Sequence, residues 1–345
     1  MEATYLETVK PGTKAYEEVM GLLLENGIRM DDAVQKTFGY FSDDQLIGTA
    51  STCENTIRSI AVKKTHQGSN ALAEMLNEII LVLYDAGFQN QFIYTKCLYA
   101  DTFKHLGFFE IERVEPDVVL LERQPNGIRN FAHYLESFRV IGDAIGAIVM
   151  NANPFTLGHQ YLIETAAAQC DFLYIFVVTA EHSAFKHEDR YKMIVDGTVH
   201  IKNVMVIHGG QYIISDATFP NYFLKHASDA TRVQAVLDLK IFSKYFAAAL
   251  KINRRFIGEE PYCQTTSAYN EAMKVILPEA GIEVIEIPRR MVDDTWISAS
   301  RVRNLLKEND LDGVRELVPE TTLIFLKSPK GRQTIGRIKR STSRH

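Results

Sequence analysis

Cysteine is scarce in this chain. Cys53, Cys97, Cys170 and Cys263 are the only four in 345 residues, and no two form a Cys-x-x-Cys pair. That spacing excludes a zinc ribbon or a disulfide framework, so reduced thiols and a cytoplasmic location are the expectation. No apolar run is long enough to span a bilayer, and no membrane partner is expected. The opening Met1-Glu-Ala-Thr-Tyr-Leu-Glu7 lacks the basic and apolar regions of an export signal. An excess of positive charge is also missing. The net charge of −5 argues against bulk nucleic-acid binding. One stretch departs from this balance. From Lys327 to His345 the tail carries Lys327, Lys330, Arg332, Arg337, Lys339, Arg340 and Arg344 and no acid. It reads either as a solvated tail or as an arm that holds a nucleotide or an acidic partner. The length suggests two domains of ordinary globular make-up.

The most informative stretch runs from Ala144 to Ala168. Ala144 to Met150 is an apolar run of the length of a buried parallel strand. The loop Asn151-Ala-Asn-Pro-Phe-Thr-Leu-Gly158 follows, and then a helix beginning near His159. A strand, a tight polar turn and a helix N-terminus make an anion site, because unpaired N–H groups and the helix dipole face the loop. Thr156, Gly158 and His159 add a hydroxyl, an open backbone and an imidazole that can stabilise charge growing on a phosphate. Thr156-x-Gly158-His159 resembles the His/Thr-x-Gly-His signature of the nucleotidyltransferase superfamily, although that family's usual Gly and Asp before the Pro are here Met150 and Asn153.

From Phe172 onward strands and helices alternate, which predicts an open parallel sheet covered on both faces. The strands are Phe172 to Val178, Val204 to Ile207, Phe256 to Gly258 and Ile282 to Ile287. The helices are Glu188 to Val195, Ala230 to Lys251, Thr266 to Ile276 (stopped before Pro278), Ser298 to Lys307 and Leu311 to Leu317. Ligands of such sheets sit beyond the carboxyl ends of the strands. Ile297-Ser-Ala-Ser300-Arg-Val-Arg303 stands at such an end and opens a helix. Ser298 is a good N-cap, and hydroxyls with a guanidinium suit two phosphates. It resembles the same superfamily's Ile-Ser-Ser-Thr-x-Ile/Val-Arg signature. In that superfamily a basic residue before this helix and an Arg inside it often face the phosphates; Lys186 and Arg190, four apart, would project the same way if the helix starts by Lys186. Gly258 and Glu259 follow a strand, where ribose hydroxyls or hydrated Mg²⁺ would lie. The loop Gly209 to Pro220 suits an acyl pocket.

The first 125 residues read differently. They give a helix at Ala15 to Asn26, a hairpin at Thr37 to Phe41 and Leu46 to Ser51, and a strand at Thr56 to Val62. A helix at Ser69 to Ala86, a strand at Phe92 to Cys97 and a short helix ended by Gly107 follow. Strands at Phe108 to Ile111 and Val118 to Leu121 close the domain. This order resembles the GNAT acetyltransferase fold, with Ile60 to Leu76 as its strand, pyrophosphate loop and helix. The family's loop glycines and basic residue are only partly kept: Gly68 fits, while Thr65 and Asn70 do not. The domain is read as 1–125, a connecting helix as 126–142 after the Pro125-Asn-Gly127 turn, and a nucleotidyltransferase domain with a basic tail as 143–345.

A degenerate GNAT-like domain followed by Ile148-Val-Met-Asn-Ala-Asn-Pro-Phe-Thr-Leu-Gly-His159 closely resembles the citrate (pro-3S)-lyase ligase family. Phe219 to Leu224 and Phe256 to Cys263 strengthen the likeness. The resemblance implies an ATP- and Mg²⁺-dependent acid–thiol ligase. Such an enzyme acetylates a dephospho-CoA-derived thiol on the acyl-carrier subunit of citrate lyase, using acetate through an acetyl-adenylate. Thr156, His159 and Lys186 would act at the α-phosphate. Asn151, Asn153, Phe155, Gly158, Arg190, Gly258, Glu259, Ile297, Ser298, Ser300 and Arg303 would bind the nucleotide. No protein-held metal site is expected. Two other readings fit the same motifs: a nucleotidyltransferase acting on a phosphate monoester such as phosphopantetheine or nicotinamide mononucleotide, and an acyl-carrier or acetyltransferase module with a nucleotide-sensing domain.

Overall fold

The structure, a computed structural model, describes residues 4–31, 33–179, 183–213, 227–260, 264–292 and 295–340. The described chain divides into two compact units. One holds residues up to 131 together with 227–241, and the other holds 132–213 together with 242–340.

The first unit runs β1 (Thr4–Val9), α1 (Lys14–Glu25), β2 (Lys36–Ser42), β3 (Gln45–Cys53), β4 (Thr56–Val62), α2 (Ala71–Asp85), β5 (Phe92–Lys96), α3 (Ala100–His105), β6 (Phe109–Val114) and β7 (Val118–Glu122). The strands lie in the order β1-β2-β3-β4-β5-β7-β6. Only β4 and β5 pair in parallel among them; the rest are antiparallel. Each face has its own core. On one, Met75, Leu76, Ile79 and Leu83 of α2 cluster with Ile93, Val119 and Leu121. On the other, Val19, Leu22 and Leu23 of α1 cluster with Phe41, Leu46 and Ala61. This is the GNAT-like α+β arrangement. β1 carries no sequence signal, because Thr4–Val9 shows no apolar–polar alternation and only Val9 of the strand is buried. At the loop before α2, Gly68 has φ +85°, and Ser69 Oγ accepts from the Ala71 amide at 3.2 Å. One amide that a pyrophosphate would need is therefore occupied.

α4 (Gly127–Glu136) leads to the second unit. Its elements are β8 (Ile145–Met150), α5 (Leu157–Ala167), β9 (Phe172–Val177), α6 (His187–Thr198) and β10 (Val204–His208). α7 (Ala227–Ile241) is counted with the first unit, where Lys240 Nζ donates to the Arg113 carbonyl at 3.0 Å. A π-helical stretch over Phe242–Ala247 precedes α8 (Ala248–Leu250). Then come β11 (Arg254–Gly258), α9 (Gln264–Glu279), β12 (Glu283–Ile287), the small ribbon β13 (Met291–Val292) with β14 (Thr295–Trp296), α10 (Ala299–Glu308), α11 (Leu311–Arg315), α12 (Glu320–Lys327) and α13 (Pro329–Arg340). The main sheet is parallel throughout, in the order β10-β9-β8-β11-β12. This is the Rossmann-like layout, and its order reverses between β8 and β11. In open sheets of this kind ligands bind at that switch point.

Ile148, Ile175, Val177 and Phe256 of the sheet are buried with Ile163 of α5, Ile194 of α6, Val302 of α10 and Leu323 of α12. Across the sheet, Phe176 meets Phe242 and Phe246 edge-on, and the Arg255 guanidinium lies 4.6 Å from the Phe242 ring centre. Two expectations are corrected here. α9 does not stop before Pro278. The proline lies in its last turn, and the chain leaves the helix at Gly281, φ +74°. The basic tail is not a loose arm up to Arg340. It forms α13, with Gly331, Thr334 and Ile338 buried. Residues 214–226, 261–263 and 341–345 lie outside the described residues, so most of the Gly209 to Pro220 loop, the Phe219 to Leu224 likeness and the tail end do too. Among the described residues, no helix is long and apolar enough to cross a membrane.

Candidate functional site

Thr156 is the N-cap of α5, with extended dihedrals of φ −121° and ψ 166°. Its Oγ1 accepts from the His159 amide at 3.3 Å, and His159 Nδ1 accepts from the Thr156 amide at 3.1 Å. This is a capping box in which histidine does what glutamate or glutamine usually does. The Thr156 hydroxyl donates to the same Nδ1 at 2.8 Å. With Nδ1 accepting, the ring hydrogen sits on Nε2, which has no partner among the described residues. Burial pushes the His159 pKa down to about 4, and the Arg289 charge adds to the effect. At neutral pH the ring is thus a neutral donor. Phe155, fully buried, stacks on it with centroids 6.0 Å apart.

The loop ahead of this helix is tied down at several points. Ala152 sits at φ +50°, a strained setting for a non-glycine residue, costing about 1 kcal/mol or more. Asn153 Oδ1 accepts from the Phe185 amide at 3.0 Å. Arg190 Nη1 donates to the Asn151 carbonyl at 2.6 Å, and its Nε donates to the Phe185 carbonyl at 3.0 Å. The Phe155 carbonyl accepts from Thr322 Oγ1 at 2.8 Å, and the Leu157 amide donates to the Leu317 carbonyl at 2.9 Å. The Gly158 amide has no partner among the described residues.

The second motif closes onto the first. A Cβ placed on Gly158 would lie 3.4 Å from the Ile297 carbonyl oxygen and 3.5 Å from its side chain. Arg303 Nη1 donates to the Asn153 carbonyl at 2.6 Å, and its Nη2 donates to Ser300 Oγ at 3.1 Å. Burial lowers the Arg303 pKa without removing its charge. Ser298 caps α10, its Oγ accepting from the Arg301 amide at 3.1 Å. Residues 150 positions apart therefore meet beside one helix N-terminus.

Gly258 ends β11 on the other side of the switch point, its Cβ position 4.0 Å from Leu162 of α5. The Glu259 amide donates to the Ile287 carbonyl at 3.0 Å. Lys186, the N-cap residue of α6, is exposed, whereas Arg190 is wholly buried with a pKa lowered to about 10 by burial. The condition for these two side chains to project together, a helix that starts by Lys186, is not met. α6 starts one residue later, and Lys186 has extended backbone (φ −60°, ψ 150°), so it lies outside the helical repeat that turns Arg190 inward under the loop.

Arg289 was not singled out in the sequence. Its Nε donates to the Glu259 carbonyl at 2.6 Å, and its Nη2 pairs with Glu260. It brings positive charge toward His159. The signal was available: Ile287-Pro288-Arg289 leaves a parallel strand at its carboxyl end. A nucleophilic cysteine is disfavoured at Cys97 and Cys170, where burial pushes each thiol up to about 11.

Comparisons with known proteins agree with this layout. The family described as Citrate lyase ligase C-terminal domain matches residues 145–326. The Escherichia coli (strain K12) protein named citrate (pro-3S)-lyase ligase is 39% identical over 320 residues, 91% of this chain and 91% of its own length. The Haemophilus influenzae protein of the same name is 38% identical over 326 residues, 93% of this chain and 97% of its own. Among solved structures, a GNAT family acetyltransferase from Elizabethkingia anophelis is 15% identical with a TM-score of 0.29, covering 35% of this chain and 98% of that one. That score carries no argument of its own. Length and identity across the two relatives do: the chain belongs to the citrate (pro-3S)-lyase ligase family of acid–thiol ligases.

Proposed function

We propose that this chain uses ATP and acetate to acetylate the thiol arm of citrate lyase, through an acetyl-adenylate. The observation that carries the reading is the meeting of the two motifs, with Ile297 against Gly158 and Arg303 on the Asn153 carbonyl at 2.6 Å. A helix N-terminus at a switch point, an open helix-start amide, a neutral imidazole donor and a cluster of hydroxyls and guanidinium suit a triphosphate.

In this reading acetate, already a nucleophile, attacks the α-phosphate, and pyrophosphate leaves. The site then needs charge stabilisation more than proton transfer. His159 Nε2–H and Lys186 face the α-phosphate and the leaving group, and Thr156 acts through His159, donating both its amide and its hydroxyl hydrogen to Nδ1. Ser298, Ser300 and Arg303 hold the β- and γ-phosphates. Gly258 and Glu259 take the ribose end, and Arg289 adds positive charge. Asn151, Asn153 and Phe155 shape the loop, and Arg190 acts from beneath it by fixing its carbonyls. Mg²⁺ would be held mainly by the phosphates, with Glu259 the acid at the rim, and would neutralise charge on the leaving group. The acceptor is the dephospho-CoA-derived thiol of the lyase's acyl-carrier subunit.

The test is reconstitution. Full-length protein, ATP·Mg, acetate and deacetylated citrate lyase are mixed, and citrate cleavage is measured. Cleavage should return only when all components are present. ATP–pyrophosphate exchange driven by phosphopantetheine or nicotinamide mononucleotide, but not by acetate, would replace this reading with a nucleotidyltransferase.

A further inference from the structure

The carboxyl edge of the parallel sheet carries a second group that the adenylation step leaves unused. His208 ends β10 and is exposed; His187 opens α6, next to Lys186. His187 Nδ1 lies 3.2 Å from the Val178 carbonyl, and its Nε2 lies 2.8 Å from His208 Nδ1. A carbonyl can only accept, so the hydrogen of neutral His187 is on Nδ1, and Nε2 accepts from His208 Nδ1–H. The hydrogen of neutral His208 is thereby fixed on Nδ1, and its basic lone pair is on Nε2. The ring is held in place as well. Tyr191 stacks on His208 with centroids 3.9 Å apart and planes 6° apart, and the Tyr191 hydroxyl donates to the Val206 carbonyl at 3.0 Å. Glu188 brings a carboxylate within 4.8 Å of both rings. The two imidazoles engage each other's inner nitrogens, which leaves no open pair between them for a metal. His187 has its pKa lowered by burial first, with the Arg190 and His208 charges adding to it. It therefore stays neutral and able to accept.

The place of this pair matters. The nucleotide reading puts the adenylate at the switch point between β8 and β11. On this proposal the acceptor thiol comes in over the other half of the edge, above β9 and β10. With strands about 4.8 Å apart, β10 runs about 10 Å from β8, a gap that the acyl carbon, the attacking sulfur and one hydrogen bond to the base would bridge. We propose that His208 is the general base of the thioester step, its Nε2 taking the proton of the acceptor thiol as sulfur attacks the acetyl carbonyl. The sulfur–carbon bond forms. The bond from that carbon to the phosphate oxygen breaks, and its electron pair leaves on AMP. The thiol proton ends on His208 Nε2. His187 is a positioning residue that sets the tautomer. This step rests on the acetyl-adenylate reading given above.

The two half-reactions separate the proposal from its parent. His208→Asn keeps an N–H near the old Nδ1, and so the bond to His187, but carries no basic nitrogen. Acetate-dependent ATP–pyrophosphate exchange and acetyl-hydroxamate formation with hydroxylamine need no thiol base and should stay within about twofold of wild type. Acetyl transfer to deacetylated citrate lyase should slow by about 10–30-fold at pH 7. The ceiling is set by the ~3% of a thiol with pKa about 8.5 that is ionised without help. Added imidazole should restore part of the transfer in His208→Ala. Unchanged transfer overturns the assignment, and so does an equal loss of exchange and transfer. Absence of acetate-dependent exchange in the wild type would instead overturn the parent reading.

Discussion

Replacing His159 with glutamine separates its cap from its charge. Gln at this position is the usual capping-box partner, so its side-chain oxygen can accept from the Thr156 amide as Nδ1 does at 3.1 Å. What disappears is the titrating ring. Burial and the Arg289 charge hold the folded His159 pKa at about 4, against 6.5 for an unperturbed histidine. Between these values the unfolded chain binds more protons than the folded one, so stability rises with pH across that window. The stabilising effect is complete above about pH 6.5 and is lost as pH falls toward 4. From pH 7.5 to pH 5 this single group costs the wild type about 2 kcal/mol. Urea unfolding followed by circular dichroism at both pH values measures it. His159→Gln should match the wild type within about 1 kcal/mol at pH 7.5 and lose about 2 kcal/mol less on acidification. Equal acid sensitivity in the two proteins, or a His159 proton resonance in the unliganded enzyme that titrates near 6.5, would refute the neutral ring.

Thr156→Val removes the N-cap acceptor of α5 and should cost about 1 kcal/mol in urea unfolding, while Thr156→Ser keeps the hydroxyl and most of that stability. Gly158→Ala places its methyl 3.4–3.5 Å from Ile297, an ordinary contact, so the melting temperature should hold; a methyl beside the helix-start amide should weaken ATP binding in calorimetric titration by about tenfold, the cost of one lost hydrogen bond to a charged group. Arg190→Met leaves the Asn151 and Phe185 carbonyls without their charged donor. It should lose about 3 kcal/mol by urea unfolding, and Arg190→Lys should not rescue it, since one ammonium cannot reproduce both arms of the guanidinium.

Much of this architecture is written locally. The 3.6-residue stripe from Leu72 to Leu83 specifies α2, and Gly107, at φ +81°, ends the short helix before β6. The apolar run into Asn151-Ala-Asn-Pro154 and the capping pair Thr156–His159 mark the strand, loop and helix of the site. What could not be read were effects of distance. Nothing near Arg190 in the sequence says that its guanidinium passes under the loop to Asn151. Nothing near Arg303 says that it reaches Asn153, and only the folded sheet brings Arg289 toward His159. The tail was opaque for a related reason. Its charge density hides the buried positions Gly331, Thr334 and Ile338, and the Gly331 Cβ position falls 2.7 Å from Leu326 Cα, a packing requirement with no local signature.

The central claim is that the loop ending in His159 and the helix start at Ser298 serve one nucleotide. Acetate-dependent exchange of labelled pyrophosphate into ATP measures this most directly, using the wild type, His159→Ala, and a variant carrying both Ser298→Ala and Arg303→Ala. Exchange should be present in the wild type and fall by about 10²–10³ in each variant, the loss expected when a charge-stabilising donor is removed. Near-normal exchange in either variant would contradict the account.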